Sequence, residues 1–296
     1  MTFTKGIFSD ITITDYHDDK EWFSASGLKM AKKSLKLWDM FMKGKITFER
    51  KQAFDFGNAF ELALLQPDEF NNKVAVEDEI LIQIQSNNPD VKSPRSTSMY
   101  RDWLDSNIKL QKYILKESGS ESFETIQFML ESCKSDAVIN ILIQNIEYNY
   151  SIFWVDSESG LQLKTRPDIC KSKKNIIVNL KTAEDGSPEK FFKDCANYDY
   201  PFQACMEIEG VLKSGMMSQV DNYFWLVCEK KPPYSATIYE FAHDDREWCT
   251  AELHYVLHNV RLAVDANLFP SYSQRADNKH GIITVQLPLW YKNSGL

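Results

Sequence analysis

Long apolar runs are missing from this 296-residue chain. No stretch approaches the ~18 to 20 apolar residues that a bilayer-crossing helix needs. The opening MTFTKGIFSDITITDYHDDKEW has early acids and no sustained apolar core, so neither a membrane protein nor a secretory signal is expected. Glycine and proline are scarce, 11 and 10 residues, too few for a fibrous or disordered chain. The six cysteines (Cys133, Cys170, Cys195, Cys205, Cys228 and Cys249) include no C-x-x-C pair, which removes the close spacing of a zinc knuckle. Buried free thiols in a reducing, cytoplasmic compartment are expected instead. There is no P-loop, no G-x-G-x-x-G and no Ser-His-Asp order, so nucleotide-driven and triad-hydrolase chemistry have no foothold. What is present is a globular composition, 43% hydrophobic and 13% aromatic, sufficient to build a sizeable core.

Charge is unevenly placed. The total is -8, yet Lys29 to Lys51 carries eight basic residues against Asp39 and Glu49, a window of +6 that leaves -14 for the remainder. Most of such a surface repels a polyanion and one part attracts it. A solvated helix face and a focused binding channel both fit this pattern. Trp38, Phe41 and Phe48 interleave with the charges, and their helical spacing favours core anchors over base-stacking platforms.

Elements follow from periodicity and punctuation. After an extended lead-in over residues 1–23, Ser24 opens a helix that Gly44 closes. A second helix runs from about Gln52 to Gln66, ended by Pro67. Residues 86–98 form the clearest loop, with Lys92 and Arg95 as candidate DNA or subunit contacts. Helices are predicted over 100–116 and 123–146. Near Tyr148 the character changes to β-branched and aromatic runs: strands NYSIFWVD, LQLKTRPDIC and IIVNLKT, the last apolar enough to be central. Two helices, a strand pair (NYFWLVCEK, SATIYEF) and a long helix over about 244–267 complete the order. This pattern implies an α/β sandwich with a helical N-terminal portion. A single domain is expected over 1–296, divided into a mainly helical portion (1–147), a core (148–267) and a tail (268–296).

The chemistry-bearing stretch is Arg166 to Lys181. Asp168 follows a strand, and eleven residues later Asn179 and Lys181 share one face of the apolar strand. A lysine there, near an aspartate, is costly to bury without cause. Metal-assisted phosphodiester hydrolysis uses such a layout: acidic oxygens hold Mg²⁺ and an ammonium offsets developing charge. His254 and His258, four apart, lack a third ligand at useful spacing, and Glu184 and Asp185 suit a helix start better than a metal.

The blocks FSASGLKMAKKS, FGNAFELALLQPDEF, KTRPDIC, IIVNLKTAED and YDYPFQACMEIEG, in this order over residues 23–210, resemble the RecE (exonuclease VIII) type of phage recombination exonuclease, within the PD-(D/E)xK nuclease superfamily. The resemblance implies a restriction-endonuclease-like core, with a mixed central sheet flanked by helices. It implies metal ligation by Glu61, Asp168 and position 179, with Mg²⁺ as cofactor and Mn²⁺ as a substitute. It implies catalytic roles for Asp168, Asn179, Lys181 and Gln203. Arg166, beside Asp168, and the basic helix residues Lys29, Lys32, Lys33 and Lys36 are the candidate DNA contacts. The implied activity is degradation of the 5′-ended strand of linear duplex DNA, leaving 3′ overhangs for a RecT-like single-strand-annealing partner. The implied assembly is a homo-oligomeric ring in the cytoplasm of a bacterial host.

Two positions depart from the pattern. Asn179 stands where an acid is expected, and Glu207 stands where a tyrosine is expected. A neutral amide oxygen is a weaker Mg²⁺ ligand than a carboxylate. Three readings fit: an Asp-to-Asn exchange that preserves shape, a natural site in which Glu61 and Asp168 suffice with help from Glu207, or a silent DNA-end-binding scaffold. If position 179 is a ligand, Asn179→Asp is expected to raise activity tenfold or more.

Overall fold

The computed structural model of the chain describes residues 3–46, 52–272, 281–287 and 289. Phe48, Glu49, Arg50 and Lys51 of the basic window, and most of the tail, lie outside the described residues. Strand β1 (Gly6–Phe8) and helix α1 (Ile13–Asp18) lead into α2 (Ala25–Lys33) and α3 (Leu35–Met42). Sequence spacing predicts one helix here. The break falls at Ser34, whose amide closes α2 on Met30 O while its hydroxyl accepts the Leu37 amide to cap α3. Gly44, at φ +65°, terminates α3 in the left-handed conformation that glycine adopts without a Cβ clash.

Helices α4 (Gln52–Leu65) and α5 (Pro67–Lys73) precede β2 (Val74–Val76), α6 (Glu77–Asn87), α7 (Ser98–Lys109) and β3 (Tyr113–Leu115). The predicted helix over 100–116 is therefore too long. Gln111 turns to φ 53° and residues 113–115 pair in parallel with β2. The predicted helix over 123–146 divides into α8 (Phe123–Ser135) and α9 (Ala137–Leu142), because Asp136 accepts the Val138 and Ile139 amides and starts a new helix.

The remaining elements are β4 (Glu147–Tyr148), β5 (Ser151–Val155), β6 (Gln162–Thr165), β7 (Ile169–Lys171), β8 (Ile176–Ala183), α10 (Pro188–Tyr198), α11 (Tyr200–Lys213), β9 (Asn222–Glu229), β10 (Ala236–Glu240) and α12 (His243–Ala266). The main sheet is mixed, in the order β10-β9-β8-β7-β4, with β8 central and parallel to β9. A smaller antiparallel sheet has the order β1-β5-β6. Residues 161–170, predicted as one strand, are shared between the two sheets. Pro167 has no amide to donate, so the ladder stops and the Arg166-Pro167-Asp168 segment crosses from one sheet to the other.

Apolar residues line both faces of the main sheet. Ile177, Tyr223, Trp225 and Val227 pack on one side with α2, α11 and α12. Val178, Leu226, Cys228 and Ile169 pack on the other with α4 and α8. This is a mixed central sheet flanked by helices. Helix α11 presses closely on the smaller sheet at Gly210, where a Cβ would stand 2.4 Å from Thr165 Cγ2. All six cysteines are free thiols, five of them buried. No helix among the described residues is long and apolar enough to cross a membrane.

Candidate active site

Alternation along β8 sends Asn179 and Lys181 to the α11 side of the sheet, while Val178 and Leu180 face α4. Asp168 reaches the same strand from the inter-sheet crossing. Beyond the end of the β7 ladder, the Leu180 amide donates to Asp168 Oδ2 at 2.7 Å. Glu61 approaches from α4, which lies against β8 with Gly57 beside Thr182.

Asn179 is fully buried, and its Nδ2 donates to Glu207 Oε1 at 3.3 Å. Glu207, 1% exposed on α11, also accepts Gln203 Nε2 at 2.8 Å on Oε1 and the Tyr223 hydroxyl at 2.8 Å on Oε2. Asn179 Oδ1 is buried with no hydrogen-bond partner among the described residues. An orphaned acceptor of this kind costs roughly 1–3 kcal/mol unless something meets it.

The carboxylates disturb one another. Burial, with Asp168 alongside, pushes Glu61 up to about 8. Burial and the Asp168 charge push Glu207 up to about 7. Burial also raises Asp168, partly offset by Lys181, the Leu180 amide and Arg166. Lys181 Nζ sits 4.7 Å from the centre of the Tyr200 ring, and Lys29 Nζ is 6.0 Å from the same ring while donating to Tyr198 O. Burial and the Lys181 charge bring Lys29 down to about 8.

Among the described residues, no three His, Cys, Asp or Glu side chains are gathered closely enough to hold a metal ion by themselves. A mixed set of residues could hold one: the Glu61 and Asp168 carboxylates and the Asn179 oxygen. All are hard oxygen donors suited to Mg²⁺ or Mn²⁺.

Raised carboxyl pKa values fix a sign for stability. Each group binds its proton more tightly folded than unfolded, so its contribution is fully present below about pH 4.5 and lost as pH rises through the folded values of about 7 and 8. Metal-free protein is expected to lose melting temperature between pH 5 and 8. Glu61→Gln should flatten that slope, and Mn²⁺ should stabilise more at pH 8 than at pH 6. Scanning calorimetry at several pH values measures all three. An unchanged slope in Glu61→Gln would show that this carboxyl is not strained.

The candidate DNA contacts divide. Lys33 and Lys36 are exposed. Lys32 is instead paired with Asp199 at 2.9 Å and Glu252 at 2.7 Å, so its charge is largely matched inside the protein. Arg166 Nη1 donates to Ile11 O and Ser151 Oγ, bracing the N-terminal segment. Arg95 of the predicted contact loop forms a two-point pair with Glu77. Trp38 is buried and Phe41 half-buried. Glu184 pairs with Lys230 and Lys231, Asp185 accepts the Ser187 amide, and His254 contacts Glu209 and Glu158. Tyr200 lies in the YDYPFQACMEIEG block without an assigned role, and Tyr223 belongs to the site but carries no motif. The signal for Tyr223 is only its place on the core-facing alternation of β9.

The fold is similar to that of a protein of Eubacterium rectale, provisionally named an exonuclease, whose crystal structure aligns with a TM-score of 0.54 at 12% identity over 97% of this chain and 99% of that one. A second solved structure, SSO0001, aligns at 10% identity over 78% of this chain and 96% of its own, but its TM-score of 0.29 carries no argument. Among curated proteins none matches. A family model described as a PDDEXK-like domain of unknown function (DUF3799) matches residues 24–279, which include Asp168, Asn179, Lys181 and their partners, and the chain belongs to that family.

Proposed function

We propose that this protein is a metal-dependent exodeoxyribonuclease that degrades the 5′-ended strand of linear duplex DNA. The observation that carries the reading is the buried Asn179 oxygen without a partner, on the same strand as Lys181 and beside the Asp168 that repels Glu61. Glu61, Asp168 and Asn179 would hold Mg²⁺, or Mn²⁺ in its place. When bound, the ion supplies Lewis acidity to the phosphodiester and its attacking water. Lys181 provides a fixed positive charge toward the phosphate, with the Tyr200 ring beneath its ammonium limiting where it points. Gln203 holds Glu207 in place through its amide nitrogen. Exposed Lys33 and Lys36, with Lys29 nearer the site, suit contacts to backbone phosphates. Polarity, a ring of copies and delivery of 3′ overhangs to an annealing partner belong to the same reading, supported by the sequence resemblance.

The test is digestion of linear and covalently closed duplex with Mg²⁺ or Mn²⁺. The expected result is loss of the linear form from its 5′-ended strand while the circle survives. Cutting of the circle would indicate an endonuclease, and survival of both would indicate the silent end-binding chain that Asn179 otherwise suggests. Lys181→Ala is expected to slow digestion by roughly 10²-fold, as removal of one preorganised charge does. DNA retention in a mobility-shift assay should persist. Undiminished digestion would remove Lys181 from the chemistry.

A further inference from the structure

The position where a strand acid is expected holds a neutral amide, and an unexpected carboxylate stands directly against that amide. An uncharged ligand at 179 leaves the candidate centre one negative charge short. Glu207 lies fully inside the protein, one helix away, held by three donors from three elements: Gln203 of α11, Asn179 of β8 and Tyr223 of β9. Burying a carboxylate this deeply costs several kcal/mol unless its charge is used. No lysine or arginine is paired with it within salt-bridge distance among the described residues.

The orientation of Asn179 follows from the same contact. Both Glu207 oxygens accept hydrogen bonds, from Gln203, Tyr223 and the Asn179 NH₂, so the amide turns its nitrogen toward Glu207. Its oxygen is then directed elsewhere, and it is this oxygen that lacks a partner. A tyrosine at 207 would not impose this choice, since a hydroxyl can donate to the amide oxygen as well as accept from the nitrogen. The two departures from the resembled pattern are therefore physically linked.

We propose that Glu207 is a positioning residue that substitutes from α11 for the acid absent at 179, fixing the Asn179 amide with its oxygen toward the metal and returning the missing negative charge to the centre. This rests on the metal-dependent reading above. It also alters the outcome expected for Asn179→Asp: an aspartate there sets two carboxylates against each other across the 3.3 Å contact, so the single exchange brings little gain while Glu207 remains.

The experiment measures Mn²⁺ affinity directly, by calorimetric titration and by the paramagnetic resonance of free Mn²⁺, beside cleavage of linear duplex. Outer partners of metal ligands typically contribute about 10- to 100-fold in affinity. Glu207→Gln is expected to weaken Mn²⁺ binding by at least tenfold, and Asn179→Asp to change it by less than about threefold. The double variant Asn179→Asp/Glu207→Gln is expected to recover affinity to within about threefold of the starting protein, with cleavage following. Circular dichroism of each variant confirms folding. Unchanged Mn²⁺ affinity in Glu207→Gln, or a double variant no better than Glu207→Gln, overturns the role of Glu207 while leaving the nuclease reading standing. If the unaltered protein neither binds Mn²⁺ nor cleaves DNA, the nuclease reading fails and the assignment of Glu207 falls with it.

Discussion

Exchange of Asp168 for asparagine is expected to reduce cleavage of linear duplex by about 10³-fold or more, in the range seen when a charged group is removed from a preorganised centre. The same exchange is expected to raise the melting temperature of the metal-free protein at pH 8. The two effects have one cause. Asp168 is close enough to both Glu61 and Glu207 that its charge helps to push both of their carboxyls upward. An amide removes that repulsion, keeps an oxygen for the Leu180 amide, and offers an NH₂ to a neighbouring carboxylate. A site assembled for a cation is destabilised without one, and relief of that strain appears as stability gained at the expense of function. Calorimetry with and without Mn²⁺ separates the contributions: the stabilisation by Mn²⁺ should disappear in Asp168→Asn. A fall in melting temperature would make Asp168 a structural acid, holding Leu180 and little else. Unchanged cleavage would take it out of the reaction.

The centre of this site is visible in the sequence because its parts are local. The run IIVNLKT is apolar enough to be central, and a two-residue period puts Asn179 and Lys181 on one face whatever lies around them. Pro167 holds the signal for the sheet crossing that delivers Asp168, although the predicted strand runs straight through it. Ser34 and Asp136 likewise carry cap signals that a purely periodic reading passes over. What the sequence does not reveal is which charge meets which across the fold. A +6 window counts Lys32 and Lys33 equally, yet one is bound by Asp199 and Glu252, about 170 and 220 positions away in the chain, and the other is exposed. Glu207 is conspicuous only as a missing tyrosine until β8, β9 and α11 come together around it.

The lead-in at residues 1–23 shows the same limit, and its attachment carries the largest expected effect on stability. Alternation along β6 puts Leu161, Leu163 and Thr165 inward and leaves Lys164 for solvent. Instead Lys164 is only 2% exposed, because the N-terminal segment covers the outer face of the small sheet with Tyr16 and Trp22 packed on Phe153. Its ammonium donates to Tyr16 O at 2.5 Å, Asp19 O at 2.8 Å and Asp19 Oδ2 at 2.9 Å. Burial lowers its affinity for a proton and Asp19 opposes that shift. Lys164→Ala leaves the buried Asp19 carboxylate with the Glu21 and Trp22 amides but no counter-charge, and takes the ammonium from the Tyr16 and Asp19 carbonyls, a loss of about 3–5 kcal/mol in urea unfolding. The damage should extend to the active site, since the same segment supplies Ile11 O to Arg166, and Arg166 moderates the charge of Glu61 and Asp168. Lys164→Met combined with Asp19→Asn removes the unpaired charge and should recover part of the stability, because exchanging both partners of a buried pair costs far less than exchanging one. A loss below about 1 kcal/mol for Lys164→Ala would mean that water reaches this pair and that the lead-in is held by its aromatic residues, the β1–β5 pairing and the Arg166 contact instead.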